Sequence, residues 1–74
     1  MVNPVVIPKI AVDVELTLYE GTTQLGQVFI KANQRVLDLL NEAVSFFPFR
    51  GQNGQVTLIN KNSVVGVRPL DQRG

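Results

Sequence analysis

Strict alternation of apolar and polar residues near the start of the chain constrains its fold more than any other feature. Over the range Lys9–Tyr19 the large aliphatic side chains occupy the even positions, and they are Ile10, Val12, Val14, Leu16 and Leu18. This period of two predicts a half-buried β-strand, because successive side chains of a strand point to opposite faces. Gly21 follows in a polar turn. A second strand, Leu25–Ala32, is expected to pair with the first as a hairpin, and Gly26 within it indicates a bulge, a bend or a close backbone approach.

The middle of the chain departs from this rhythm. Apolar residues recur at helical spacing after Asn33, which is a good N-cap candidate, and they predict a short helix over residues 34–44. The aromatic segment Phe46–Phe49 follows. Because Pro48 has no N–H to donate, we expect this segment to form a strand at the edge of the sheet. Its phenylalanines are expected to fill the core or an interface, with base stacking as the alternative.

Two further strands are predicted in the last third. Asn53-Gly54 is the strongest local hairpin signal, and it joins the aromatic segment to a strand over residues 55–60. The tight turn Lys61–Ser63 then leads into a strand over residues 64–68, which ends at Pro69.

Five short strands and one short helix, between strands two and three, predict a mainly β fold. A sheet this small is most stable when it bends strongly and closes into a small SH3-like barrel, with glycines at the bends. We assign residues 9–70 to this single domain, residues 1–8 to an extended arm containing prolines, and residues 71–74 to a frayed tail.

The composition lacks the usual means of stabilising so small a domain. The 74 residues include no Cys and no His, so disulfides and the usual structural zinc sites are excluded. A domain of this length buries only about 60% of the surface that its unfolded chain exposes. Self-association is the stabilisation that remains, and it requires unpaired strand edges. We therefore expect the first and last strands of one subunit not to pair with each other.

The same composition argues against catalysis. Without His or Cys there is no Ser-His-Asp arrangement, no thiol nucleophile and no histidine base. Asp13 and Glu15 occupy the solvated face of the first strand, and a chain this short has little room for the cleft that a carboxylate pair needs. We expect a non-enzymatic protein with no cofactor and no metal. The absence of cysteine fits the cytoplasm, and no stretch reaches the ~20 apolar residues that span a bilayer.

Two runs of residues resemble the signature of the Sm/LSm family of small β-barrels. The first has alternating apolar positions, a turn glycine and a second glycine five residues later: Val14-x-Leu16-x-Leu18-x-x-Gly21-x-x-x-Leu25-Gly26-x-Val28. In the second, an apolar strand enters a tight polar turn and another leaves it: Leu58-Ile59-Asn60-Lys61-Asn62-Ser63-Val64-Val65-Gly66-Val67. The middle is also similar to a stretch in a group of small bacterial proteins, here Arg35-Val36-Leu37-Asp38-Leu39-Leu40-Asn41 followed by Phe46-Phe47-Pro48.

The resemblance implies a bent five-stranded barrel. It also implies assembly into a homo-oligomeric ring of about five to seven subunits, through pairing of the fourth strand with the fifth strand of the next copy. RNA is the implied ligand, held near the pore by two loops. The family's Asp and Asn after the second strand are matched here by Asn33 and Asp38, in inverted order, with Arg35 between them.

The second loop also departs from the family pattern. Asn60-Lys61 replaces an Arg-Gly pair, so the bidentate fork of arginine is lost. Lys61 would contact a phosphate, and Asn60 or Asn62 would contact a base edge.

Each of these residues also has a structural explanation. Asn and Lys are common in any tight β-turn, and Arg35, Asp38 and Asn41 fit a helix cap and a solvated helix face. Two functional alternatives stay open. One is a ring-forming scaffold that binds a protein rather than RNA, and the other is a monomeric β-grasp recognition domain.

Overall fold

All five predicted strands form, and they belong to one sheet. The computed structural model describes residues 8–42 and 44–70, with strands β1 (Lys9–Leu18), β2 (Thr23–Lys31), β3 (Phe46–Gly51), β4 (Val56–Asn60) and β5 (Val64–Pro69). Neighbouring strands are antiparallel, in the order β4-β3-β2-β1-β5. One short helix, α1 (Val36–Leu40), lies between β2 and β3, and the 3-10 turn Lys61–Ser63 joins β4 to β5. The predicted mainly β class and the position of the helix are confirmed.

The predicted arm and tail fall mostly outside the described residues, which leave out residues 1–7 and 71–74. Pro8 is the last residue of the predicted arm. Its carbonyl accepts a hydrogen bond from the N–H of Ala32 at 3.1 Å. The pairing of the first hairpin therefore extends one residue beyond each of its two strands.

The core lies on one face of the sheet. The buried apolar side chains among the described residues are Val14, Leu16, Val28, Ile30, Leu39, Phe47 and Phe49. The strand residues in this group share a face, because the register aligns even positions of β1 and β2 with odd positions of β3. Phe47 and Phe49 are each 1% exposed, whereas Phe46 is 53% exposed on the opposite face. Two of the three phenylalanines therefore fill the core.

Gly26 is a site of close backbone approach, which is one of the alternatives expected for it. It lies opposite Gly51 in the register. A Cβ at Gly26 would lie 2.3 Å from the carbonyl oxygen of Arg50 and 2.5 Å from Cζ of Phe49. Glycine therefore leaves the space that the buried Phe49 ring occupies beneath β2.

β3 is not an edge strand, so the expectation drawn from Pro48 is wrong. β3 lies between β2 and β4. Two hydrogen bonds fix the alternation of its ladder with β4: Gly51 N–H donates to the Gln55 carbonyl at 2.9 Å, and Lys61 N–H donates to the Ser45 carbonyl at 2.8 Å. In an antiparallel pair, bonded and non-bonded positions alternate along the strand. Odd positions of β3 therefore bond to β4, and even positions face β2.

The proline is tolerated inside the sheet because of this alternation. Pro48 lies opposite Leu58 at a non-bonded position of the β3–β4 ladder, so its missing N–H removes no bond there. On the other side, the last register pair of β2 with β3 is Val28 with Phe49, so Pro48 lies just outside that ladder. Pro48 thus ends one ladder without interrupting the other.

The first and last strands pair with each other, contrary to expectation. Five register pairs join β1 to β5, with a shift between Thr17 and Leu18. This pairing does not remove the open edges, because β1 lies inside the sheet and has two neighbours. Within the described residues the edges are β4 and the outer side of β5, and these two strands are not paired. The sheet is not closed.

α1 is shorter than predicted, and its N-cap is Arg35 rather than Asn33. The N–H of Arg35 donates to Oδ2 of Asp38 at 3.0 Å, so the carboxylate supplies an acceptor at the start of the helix. The helix ends at Leu40 with Asn41 as its C-cap, and by Ser45 the chain is bonded to Lys61 beside the sheet.

Candidate nucleic-acid interface

The six predicted site residues lie in two connections. Asn33, Arg35 and Asp38 belong to the connection from β2 into α1, and Asn60, Lys61 and Asn62 belong to the one from β4 to β5. The second connection contacts the segment after α1, since the backbone N–H of Lys61 bonds to Ser45 and its ammonium group donates to the Glu42 carbonyl. No hydrogen bond joins the two groups of three directly within the described part of the chain.

Lys61 has a structural role in this arrangement. Its ammonium group contacts the Glu42 carbonyl just beyond the end of α1, where unpaired carbonyl groups favour a cation. The carboxylate of Glu42 accepts from Nε2 of Gln34 at 3.0 Å, and Oε1 of Gln34 accepts from the N–H of Lys31 at 3.0 Å. A chain of polar contacts thus runs from the end of β2 to the 3-10 turn. A phosphate at Lys61 would compete with this bond.

Gln34 and Glu42 are not among the residues predicted for the site. They are eight residues apart, one on each side of α1. A separation of eight places two residues on the same side of a helix and of a strand alike, so the spacing does not indicate this contact. Both residues lie inside the helix predicted over residues 34–44. The observed helix is shorter and leaves one of them on each side of it. The contact between the two connections was therefore not visible in the sequence.

Asn60 and Asn62 have different surroundings. Oδ1 of Asn60 accepts from the N–H of Asn62 at 2.8 Å and caps the 3-10 turn, so the Asn60 side chain stabilises the turn itself. The side chain of Asn62 is exposed and has no hydrogen bond within the described ranges. It lies with Leu40 and Val64 at a cleft of about 320 Å³. Of the two asparagines, Asn62 has the accessible amide.

Arg35 carries the accessible charge of the first connection. Arg35 is exposed, and its guanidinium forms no ion pair in the part of the chain that the structure describes. Asp38 uses a carboxylate oxygen to accept the Arg35 N–H, and Asn33 is exposed. By contrast, Arg68 pairs with Glu15 at 3.0 Å across β1 and β5, away from both connections.

Comparison with known proteins does not place the chain in a family. No protein-family model, curated protein or solved structure matches it. Among the described residues, the helical segments are far shorter than the ~20 apolar residues that a membrane-spanning helix needs. Within the same ranges, no group of three or more acidic side chains is arranged to hold a metal ion. The function is therefore inferred from the sheet edges and the two polar connections.

Proposed function

We propose that this chain is a non-catalytic, Sm-like protein whose subunits associate through β4 and β5 into a homo-oligomeric ring of bent, barrel-like sheets. The strand order carries this proposal, because it makes the fourth and fifth strands the two edges of the described sheet. These are the strands through which the Sm/LSm resemblance implies assembly. One copy's β4 and the next copy's β5 form a heterologous contact, which generates a ring when the rotation between copies closes.

The β4 edge is suited to pairing with another strand. The bonds that fix the β3–β4 alternation direct the backbone groups of Thr57 and Ile59 toward β3. Those of Val56 and Leu58 point away from the sheet. The same two side chains are apolar and 56% and 66% exposed. An edge with free backbone groups and exposed apolar side chains is a template for another strand.

The outer side of β5 offers a complementary edge. The N–H of Leu70 donates to the Asp13 carbonyl at 2.9 Å, and this bond sets the alternation of the β1–β5 ladder. Val67 lies at a non-bonded position, so its backbone groups point away from β1. Val65, at the irregular end of the strand, is 66% exposed. Burial of Val65 against the exposed residues of β4 would stabilise the contact between copies.

We propose RNA as the ligand of the face that carries the two polar connections. Arg35 supplies an accessible cation, Asn62 an accessible amide, and Lys61 a cation that a phosphate can draw from its carbonyl partner. The formal charge of one chain is only +1. A ring repeats the same cations around one axis, and several phosphate contacts then act together.

Light scattering after size-exclusion chromatography tests the assembly. We expect the wild type to have several times the monomer mass and Leu58→Lys to shift it toward the monomer, because a charge at the edge opposes strand pairing. Leu37→Lys is the matched control, since Leu37 is 64% exposed on α1 and Leu58 is 66% exposed on β4. A wild-type protein that stays monomeric at all concentrations would overturn the ring.

Fluorescence anisotropy with labelled oligo(U) at two salt concentrations tests the ligand. Arg35→Ala should weaken binding and reduce the magnitude of the log–log salt slope by about 0.7, the value for one phosphate contact to a single strand. Arg68→Ala is the control, because Arg68 is engaged with Glu15. A ring that binds oligo(U) no more tightly than about 1 mM at about 50 mM salt would exclude RNA and support the scaffold alternative.

A further inference from the structure

A row of three polar side chains crosses the outer face of the sheet on β1, β2 and β3. Asp13 lies opposite Gln27, and Gln27 lies opposite Arg50. Nε2 of Gln27 donates to Oδ1 of Asp13 at 3.0 Å, and Nη1 of Arg50 donates to Oε1 of Gln27 at 3.2 Å. The row therefore presents a carboxylate, an amide and a guanidinium in that order.

Arg50 is held in place from a second direction. Its guanidinium carbon lies 4.9 Å from the centroid of the Phe29 ring, a cation–π distance. With one bond to Gln27 and one stacked face, the guanidinium is oriented before any ligand arrives. It has five N–H donors and uses one in this contact, so others are available to a carboxylate.

The row forms one wall of a groove of about 650 Å³, which is within the size range of small-molecule sites. Leu25 and Leu70 also line the groove, and they are 42% and 43% exposed. Gly26 and Gly51 add only backbone to the lining. The groove thus combines a row of fixed polar groups with two apolar side chains and with glycine positions that carry no side chain.

We propose that this groove binds a short peptide with free ends, of dipeptide size. A dipeptide presents an ammonium group, an amide and a carboxylate in sequence, the charge complement of Asp13, Gln27 and Arg50. The ammonium pairs with Asp13, the peptide unit with the second donor and lone pair of the Gln27 amide, and the carboxylate with Arg50. Two extended residues span about 7 Å, and the outer two strands of the row are about 9.6 Å apart, so the side chains can reach both ends. An apolar ligand side chain packs on Leu25 or Leu70.

This site does not depend on the proposed ring or on RNA. Its three polar residues lie on β1, β2 and β3, and Leu70 directly follows β5, whereas the proposed subunit contacts use β4 and the outer side of β5 itself. None of its polar residues belongs to the two connections of the candidate nucleic-acid interface.

Titration of the ¹⁵N-labelled protein with Ala-Leu, followed by two-dimensional NMR, tests the proposal. We expect saturable shifts at the Gln27 side-chain amide and the Arg50 backbone amide. Acetylating the ligand's amine or amidating its carboxylate should each weaken binding about fivefold, the effect of losing one exposed charge pair. Equal affinity for the blocked and free peptides, or shifts that do not saturate, would overturn the proposal.

Two variants assign the ends of the ligand. Asp13→Asn should lower the affinity for Ala-Leu to that of its N-acetyl form, with no further loss when the acetylated peptide is used. Glu15→Gln, on the same face of β1, is the control and should leave binding unchanged. Arg50→Met provides an independent test through the carboxylate end, and the dispersion of each spectrum reports whether the variant is folded. Retention of the full preference for free ends in both Asp13→Asn and Arg50→Met would contradict the assignment.

Discussion

Replacement of Gly26 by alanine tests the packing of the core against β2 most directly. The added Cβ would lie 2.3 Å from a backbone carbonyl oxygen and 2.5 Å from a ring carbon of Phe49, whereas Cβ atoms essentially never approach a neighbouring heavy atom more closely than 3.0 Å. Relief requires a movement of at least 0.7 Å. The carbonyl belongs to Arg50, which pairs with Gln27 in the β2–β3 ladder, and the ring is 1% exposed. Neither group can move without breaking other contacts.

The expected cost follows from this overlap. Overpacking of a tight core costs about 1 to 3 kcal/mol, and both close contacts at Gly26 place the change at the upper end. Replacing glycine returns about 0.5 kcal/mol by reducing the entropy of the unfolded chain. The net loss is about 2 kcal/mol. A chain of 74 residues has a free energy of unfolding of about 4 to 11 kcal/mol, so this loss is a large fraction of it.

Urea unfolding followed by circular dichroism measures the effect. With a slope of about 1 kcal/mol per molar urea, the midpoint should fall by about 2 M. Gly66→Ala is the matched control in a second strand, since its Cβ would meet only Cβ of Thr17 at 3.9 Å, an ordinary contact. It should be neutral or slightly stabilising. All variants are compared at one protein concentration, because association adds stability. Equal midpoints for the two variants would refute the close approach at Gly26.

Substitutions at four other positions probe separate parts of the molecule. Phe49→Ala should lower the free energy of unfolding by about 3 to 5 kcal/mol, visible as a fall of about 3 to 5 M in the urea midpoint. Arg68→Met should change it by less than about 1 kcal/mol in the same assay, because its ion pair is largely exposed. Asp38→Ala should lower the free energy of unfolding by about 0.5 to 1 kcal/mol and speed hydrogen exchange at the N-cap amide of α1. Asp38→Asn should keep most of the stability, because its amide oxygen can accept the same hydrogen bond. Lys61→Ala should cost about 1 kcal/mol, since a carbonyl beyond α1 loses its partner; an unchanged midpoint would mean that this contact contributes nothing.

The strands were predictable because their signals are local. Alternation along β1 identifies its buried face without knowledge of any partner, and Gly21 and Gly54, with φ of 93° and 84°, lie in the turns that their neighbours indicate. The candidate site was less predictable. Lys61 bonds to a carbonyl 19 residues away, and the turn sequence that contains it is the same whether its ammonium group faces solvent or the end of α1. Side-chain partners of this kind depend on the tertiary fold and leave no periodic pattern.

Pro48 shows why a missing donor does not by itself identify an edge strand. A residue in an antiparallel strand directs its N–H and its carbonyl to the same neighbour, so a proline affects only one of the two ladders. At position 48 that neighbour is β2, and the pairing of β2 with β3 ends beside it. The proline therefore marks the divergence of two interior strands. The free edge lies one strand further, on β4, where Val56 and Leu58 direct their backbone groups away from the sheet. The charge introduced by Leu58→Lys therefore acts at this edge.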